Sequence, residues 1–237
     1  MTPWEKLLIL TGMTYAVFKA LTLRGLPLAS AAAYVALWPG MDPRPFAERR
    51  PGGGRRLAAW GACKMALGAS LLGFVRTGSL AGDAVVLCLG IGFLVHLGLC
   101  DVLAGYWRGR GVPVERLFVN PAASRSLGEF WGRRWNLAFR GVVHEWVFRP
   151  VARRRGAAAG ILATFACSGL LHDLLLSVPV GAGFGLPTAY FLLQGLLVLA
   201  ERRFGLAGRL WTWFWLLAPV PLLFHPAFVA GILSPLR

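Results

Sequence analysis

The sequence predicts an all-α fold: a polytopic bundle of transmembrane helices, about seven crossings, plus one amphipathic or re-entrant helix on the cytoplasmic side. Three observations predict it. Hydrophobic residues make up 57% of the 237 and charged residues 15%, a balance too apolar for an ordinary soluble domain. The apolar residues gather in runs close to the roughly 20 residues that a membrane helix needs. The cations, in a chain of net charge +15, sit mostly between those runs.

Taken in order, spans fall at residues 4–23, 57–75, 80–107, 156–178, 186–200 and 210–233. The first has no clear small-residue cleavage site and reads as a retained helix, not a signal peptide. Residues 26–38 are short and Ala-rich, either a tilted span or a re-entrant piece. No internal repeat stands out, and 1–237 reads as a single integral membrane domain. The four cysteines, Cys63, Cys88, Cys100 and Cys167, lie in apolar stretches without C-x-x-C spacing and read as small buried hydrophobes.

The connectors give an orientation, because Lys and Arg are retained on the cytoplasmic side. Arg44, Arg49, Arg50, Arg55 and Arg56 share one loop, and Arg108, Arg110 and Arg116 another. Arg153, Arg154 and Arg155 form a third group, and Arg202, Arg203 and Arg209 a fourth. The turns at Arg24 and Arg76 carry one charge each, and 179–187 carries none. All four basic connectors fall on one side if 26–38 crosses and 126–150 does not. The N-terminus is then cytoplasmic. Positive charge without a nucleic-acid reader motif points to anionic headgroups, or to an anionic cosubstrate such as a coenzyme A ester.

Residues 126–150, SLGEFWGRRWNLAFRGVVHEWVFRP, are the non-spanning helix. At roughly 100° per residue, Leu127, Trp131, Trp135, Ala138, Phe139, Val142 and Trp146 share one side. Glu129, Arg133, Asn136, Arg140 and His144 share the other. A tryptophan face opposite a basic face suits a membrane interface or the wall of a polar vestibule. Asn136 could hold a carbonyl oxygen or orient a histidine, since an amide both donates and accepts, or it could be structural.

Polar groups inside spans are costly and therefore informative. His172 and Asp173 interrupt FACSGLLHDLLLSVP, with Ser168 one turn before His172 on the same face. A neutral imidazole there can take a proton from a bound hydroxyl, or it can simply join helices. His96 and Asp101 project about 140° apart on a helix, which favours interhelical hydrogen bonding over a joint acid/base role. Lys19 and Lys64 either snorkel or face the interior, and His225 has no adjacent partner.

EFWGRRWN at 129–136, followed by SGLLHD at 168–173, resembles the paired signature of membrane-bound O-acyltransferases, wax synthase-like branch. The resemblance extends through LWPGMDP at 37–43, residues 96–107 and GLPTAYFLLQ at 185–194. It implies acyl transfer from acyl-CoA to the hydroxyl of a lipophilic alcohol, with no cofactor and no metal. It makes His172 the catalytic base and Asn136 its partner. The substrate-binding candidates are Trp131, Arg133, Arg134, Trp135, Arg140, His144, Ser168 and Asp173. His144 matches a less constant histidine of the family, and Asp173 stands where Glu is usual. The reaction itself needs a base, a donor for the oxyanion and a water-poor tunnel. The competing class is a non-catalytic membrane protein, a lipid carrier or assembly partner, in which His172 and Asp173 only join helices. On a straight helix from Gly156, His172 lies roughly 24 Å along the axis, nearer the outer leaflet. A high Arg-to-Lys ratio with abundant Ala and Gly suggests a bacterial plasma membrane.

Overall fold

The computed structural model describes residues 1–50, 52–73 and 79–233. In chain order its helices are α1 (Pro3–Thr22), α2 (Leu28–Leu37), α3 (Arg55–Leu72), α4 (Leu80–Ile91), α5 (Cys100–Gly109), α6 (Leu127–Glu129) and α7 (Arg140–Val143). There follow α8 (Arg149–His172), α9 (Val178–Val180), α10 (Leu186–Phe204), α11 (Arg209–Leu217), α12 (Val220–Leu223) and α13 (Pro226–Leu233). No strand occurs among the described residues. Wide, π-helical turns at Gly92–Leu99, Phe130–Arg134, His144–Phe148 and Asp173–Ser177 interrupt the α-helical winding.

Gly82–Gly109 and Leu137–Val180 are long and apolar enough to cross a membrane. A third span is added if Arg209–Leu223 and Pro226–Ile232, bent by 69°, count as one. By length and composition the described residues thus supply two or three of the seven predicted crossings. Charges shorten the other apolar runs: α1 carries Glu5, Lys6 and Lys19, α3 begins on Arg55 and Arg56, and α10 ends on Glu201, Arg202 and Arg203. The Arg76 turn, and Val75 at the end of the 57–75 run, lie outside the described residues.

The winding also departs from prediction at 126–150, and it breaks at Gly156, where the predicted span begins. Residues 126–150 do not form one amphipathic helix. The π-helical turn ends at Trp135, which is extended (φ −111°, ψ 129°), and Asn136 adopts the left-handed conformation (φ 46°), which asparagine tolerates better than most residues. The tryptophan face and the basic face therefore do not share one axis. Within α8, Gly156 has φ 85° and ψ 164°, a region open in practice only to glycine. Arg149–Arg155 and the apolar turns that follow are consequently separate rods.

The chain divides into two compact units. The first comprises Met1–Val17, Asn120–Trp135 and Arg140–Arg237. Its core holds Leu127, Phe130, Ile161, Phe165, Tyr190, Phe191, Val198 and Leu216, with Trp131 and Trp135 packed against it. The second comprises Phe18–Val119 and Asn136–Phe139.

The second unit is built on a glycine seam. Gly54, Gly61 and Gly68 recur every seven residues at and within α3, and each meets backbone of the continuous helix made by α4, Gly92–Leu99 and α5. A Cβ on Gly61 would stand 2.7 Å from Val102 N and 2.9 Å from Gly98 O. Small residues at such a spacing let two backbones touch, which maximises dispersion where lipid supplies no hydrophobic drive. Asp101, 2% exposed, faces Lys64 Nζ at 2.5 Å and receives Arg116 Nε and Nη2 at 2.8 and 2.7 Å. Asp101 thus makes the expected interhelical hydrogen bond, to Lys64 of α3 and as part of an ionic clamp, while the His96 ring packs edge-on to Phe118. Lys19 faces the interior: its Nζ donates to the carbonyls of Tyr34, Trp38 and Gly40 at 3.0, 2.6 and 2.8 Å. It thereby satisfies carbonyl groups at the C-terminal end of α2 that the helix leaves open. The cysteines are free, but Cys63 and Cys88 are exposed and only Cys100 is buried; small apolar side chains suit a surface meant for lipid as well as a core.

Candidate functional site

His172, Asp173, Ser168 and Trp131 are brought together in the first unit, around one face of α10. His172 Nδ1 lies 2.7 Å from the Ser168 carbonyl oxygen. A carbonyl only accepts, so Nδ1 carries the proton and Nε2 keeps the lone pair. Ser168 therefore contributes its backbone, not its hydroxyl, to orienting the ring. The imidazole packs on Phe191 of α10, 4.3 Å between ring centres. Trp131 meets the same Phe191 at 5.5 Å and Phe165 edge-on at 6.0 Å. The half-buried histidine thus packs on one ring of this aromatic cluster, with one basic nitrogen defined.

Asp173 is saturated with donors. Its carboxylate accepts from Ser177 Oγ at 2.9 Å, Gly185 N at 2.9 Å, and Thr188 through both its N–H (3.1 Å) and its hydroxyl. Gly185 and Thr188 stand at the start of α10, where N–H groups have no intrahelical partner and a negative charge is favoured. Asp173 is therefore an N-terminal cap supplied from another helix.

The tryptophan block is tied down at three points. Ser126 Oγ accepts from Glu129 N at 2.9 Å, a side-chain cap for α6. Glu201 of α10, 7% exposed, accepts from Leu127 N (2.6 Å), Gly128 N (2.9 Å) and Trp211 Nε1 (3.0 Å). Gln194, fully buried, accepts from Trp131 Nε1 at 3.2 Å and donates to the Trp215 carbonyl at 2.7 Å. Trp135 stacks on Phe130 at 5.4 Å.

The basic candidates divide. Arg134 is held by Glu129, with Nε and Nη2 at 2.8 and 2.6 Å from Oε1, and by the Asn120 carbonyl. The Arg125 N–H and the Arg134 guanidinium together hold the Glu129 carboxyl below its ordinary range. Arg133, Arg140 and His144 are exposed, and His144 stacks on Phe148.

Asn136 belongs to the second unit. Its side chain is exposed, and its neighbours are pinned by Leu137 N to Leu117 O (2.9 Å) and Met41 N to Ala138 O (3.1 Å). The structure thus groups His172 with Trp131 and assigns Asn136 to the other unit.

Thr188, Ser177, Gln194 and Glu201 escape the sequence reading, which names His225 without a partner. Gln194 and Glu201 carried a signal, as polar residues in or at the end of an apolar run. Ser177 carried none, and the 48 positions between it and His225 hide their pairing.

Residues 114–193 match the family model described as membrane bound O-acyl transferase family. "Probable long-chain-alcohol O-fatty-acyltransferase 2" of Arabidopsis thaliana is 37% identical over 103 residues, 38% of this chain and 29% of its own length. "Acyl-CoA--sterol O-acyltransferase 1" of the same plant is 32% identical over 90 residues, 35% of this chain and 26% of that one. "Long-chain-alcohol O-fatty-acyltransferase" of Simmondsia chinensis is 33% identical over 72 residues, 27% of this chain and 20% of that one. The chain thus spans under a third of the length of these relatives. The matched segment holds Asn136, His144, Ser168, His172 and Asp173, and it is similar to the membrane-bound O-acyltransferases over those residues. Its resemblance is to the wax synthase-like branch.

Proposed function

We propose that the chain moves an acyl group from acyl-CoA to the hydroxyl of a lipophilic alcohol, forming an ester. The observation that carries this is the His172 geometry: Nδ1–H donated to Ser168 O, which leaves Nε2 as the basic nitrogen, on a ring packed against Phe191 within the segment that matches the acyltransferase family. Nε2 takes the alcohol proton as the oxygen attacks the thioester carbonyl. The tetrahedral intermediate collapses with cleavage of the C–S bond, and the imidazolium returns its proton to the coenzyme A thiolate. The Asn136 amide, which the resemblance makes the partner of His172, belongs to the other unit and takes no step in this proposal. Arg133 and Arg140 are exposed and suited to coenzyme A phosphates, whereas Arg134 is engaged by Glu129. The reaction as proposed calls on no cofactor beyond acyl-CoA.

The long-chain-alcohol and sterol acyltransferase names of the relatives support an alcohol acceptor. The seven-crossing topology with a cytoplasmic N-terminus belongs to this proposal and rests on the arginine distribution. Placement in a bacterial plasma membrane rests on composition alone, since the relatives named above are plant proteins.

The test is ester formation by purified protein from labelled acyl-CoA and a panel of long-chain alcohols and sterols. His172→Ala is expected to abolish the product while the thermal transition is retained. Undiminished ester in that variant would overturn the mechanism.

A further inference from the structure

Behind His172 runs a second polar chain that the proposed reaction does not use. His225, 1% exposed, lies in the bend between α12 and α13. Its Nδ1 accepts from Phe228 N at 3.2 Å, so in the neutral ring the proton is on Nε2. Nε2 faces Ser177 Oγ at 3.5 Å, and Ser177 Oγ donates to Asp173 Oδ1 at 2.9 Å with the Gly183 carbonyl at 3.3 Å as a second acceptor. The polarity is the reverse of a nucleophilic triad, in which histidine accepts from serine and carboxylate backs the histidine. Here serine donates to the carboxylate and histidine donates to serine, so the chain holds a charge in place and activates no nucleophile.

The held charge faces α10. Asp173 grips Gly185 and Thr188 at the start of that helix, and Phe191 lies three residues beyond Thr188, on the same face. Phe191 is the ring against His172. The adjacent residues His172 and Asp173 thus engage one face of α10 a turn apart, one through an aromatic contact and the other through its capped N–H groups. The loop is shaped for this arrangement: Gly183 has φ 77°, and a Cβ there would stand 2.5 Å from both His225 ring nitrogens.

We propose that His225 and Ser177 are positioning residues for His172, acting through Asp173 and the register of α10. This rests on His172 being the base. Loss of the relay frees Asp173 to rotate, α10 to shift and the Phe191 wall to withdraw. A displacement near 1 Å of a reacting group costs up to about a hundredfold in rate.

The experiment compares Ser177→Ala, His225→Leu and His225→Gln in the full chain, in detergent or nanodiscs. His225→Gln keeps an N–H toward Ser177, and Ser177→Ala removes one oxygen without a charge or a large cavity. Expected are a fall in kcat of about tenfold or more in Ser177→Ala and His225→Leu, KM for acyl-CoA within about twofold, and recovery of most of kcat in His225→Gln. A second readout needs no turnover: the rate at which diethyl pyrocarbonate modifies His172, located by peptide mass spectrometry, should rise severalfold in Ser177→Ala as its wall loosens. The positioning role is overturned if active wild-type protein and Ser177→Ala share the same kcat, or if the modification rate does not change. If wild-type protein makes no ester, the acyl-transfer reading fails on its own. The modification rate then still decides whether this chain holds the histidine in place.

Discussion

Replacing Glu201 with alanine removes one carboxylate and strands three buried or half-buried donors: Leu127 N, Gly128 N and Trp211 Nε1. Two of these are the first N–H groups of α6, which no intrahelical carbonyl can reach. Hydrogen bonds to a charged acceptor contribute about 1.5 to 3 kcal/mol each, and a buried donor left without a partner costs about 1 to 3 kcal/mol. The three bonds share one carboxylate and do not add, and water can reach part of the gap, so a net loss of about 3 to 5 kcal/mol is expected. At roughly 2 to 4 °C per kcal/mol for a chain of this length, the midpoint should fall by about 6 to 20 °C. Thermal unfolding of the purified protein, followed by tryptophan fluorescence in a fixed detergent, measures it. Since Glu201 ties the tryptophan block to α10, ester formation should fall as well. A midpoint shift under about 2 °C would refute the reasoning, because the cap would then be dispensable.

Asp101→Ala leaves Lys64 and Arg116 without their shared carboxylate and should cost about 3 to 5 kcal/mol; an unchanged midpoint in the same assay would count against an ionic clamp. Gly61→Leu drives a side chain into Val102 N and Gly98 O, where overpacking costs about 1 to 3 kcal/mol or more, whereas the same change at Gly132, which has open space around its Cβ direction, should leave the midpoint nearly unmoved. For Glu129, the folded pKa is depressed by the Arg125 N–H and Arg134. Its contribution to stability is therefore present above the unfolded pKa and lost as pH falls through the folded one. Glu129→Gln should flatten the acid limb of a midpoint-against-pH curve, and identical curves for the two proteins would show that the pairing contributes nothing.

Much of the all-α character was legible, because apolar runs of membrane length leave few alternatives. The breaks were not. Periodicity assumes a constant 100° step, and it places Trp131, Asn136 and His144 on continuous faces that the extended Trp135, the left-handed Asn136 and two π-helical turns dissolve. Asparagine before an apolar residue carries no unmistakable signal of positive φ. His172 was legible for a sound reason: an ionisable group inside an apolar helix has a cost that something must justify. The role of Asp173 was not, since its donors Gly185 and Thr188 lie 12 and 15 residues away across a glycine-rich turn. Asp101 was read beside His96 and Lys64 beside Lys19, and only the antiparallel seam makes Lys64 and Asp101 a pair.

The glycine seam also bears on the order in which the protein assembles. Its two helices are neighbours in the chain, and their contacts need only a short connector to close, so the pair can form while later residues are still being synthesised. The rest of its unit, from Phe18 to Val119, is likewise complete before residue 120. Asn136–Phe139 is the exception, a short return of the chain between two stretches that build the other unit. The amide expected to assist catalysis is therefore the last piece laid onto an already finished frame. A lesion at Gly61, far along the chain from either catalytic candidate, should delay the moment at which Asn136 finds its place.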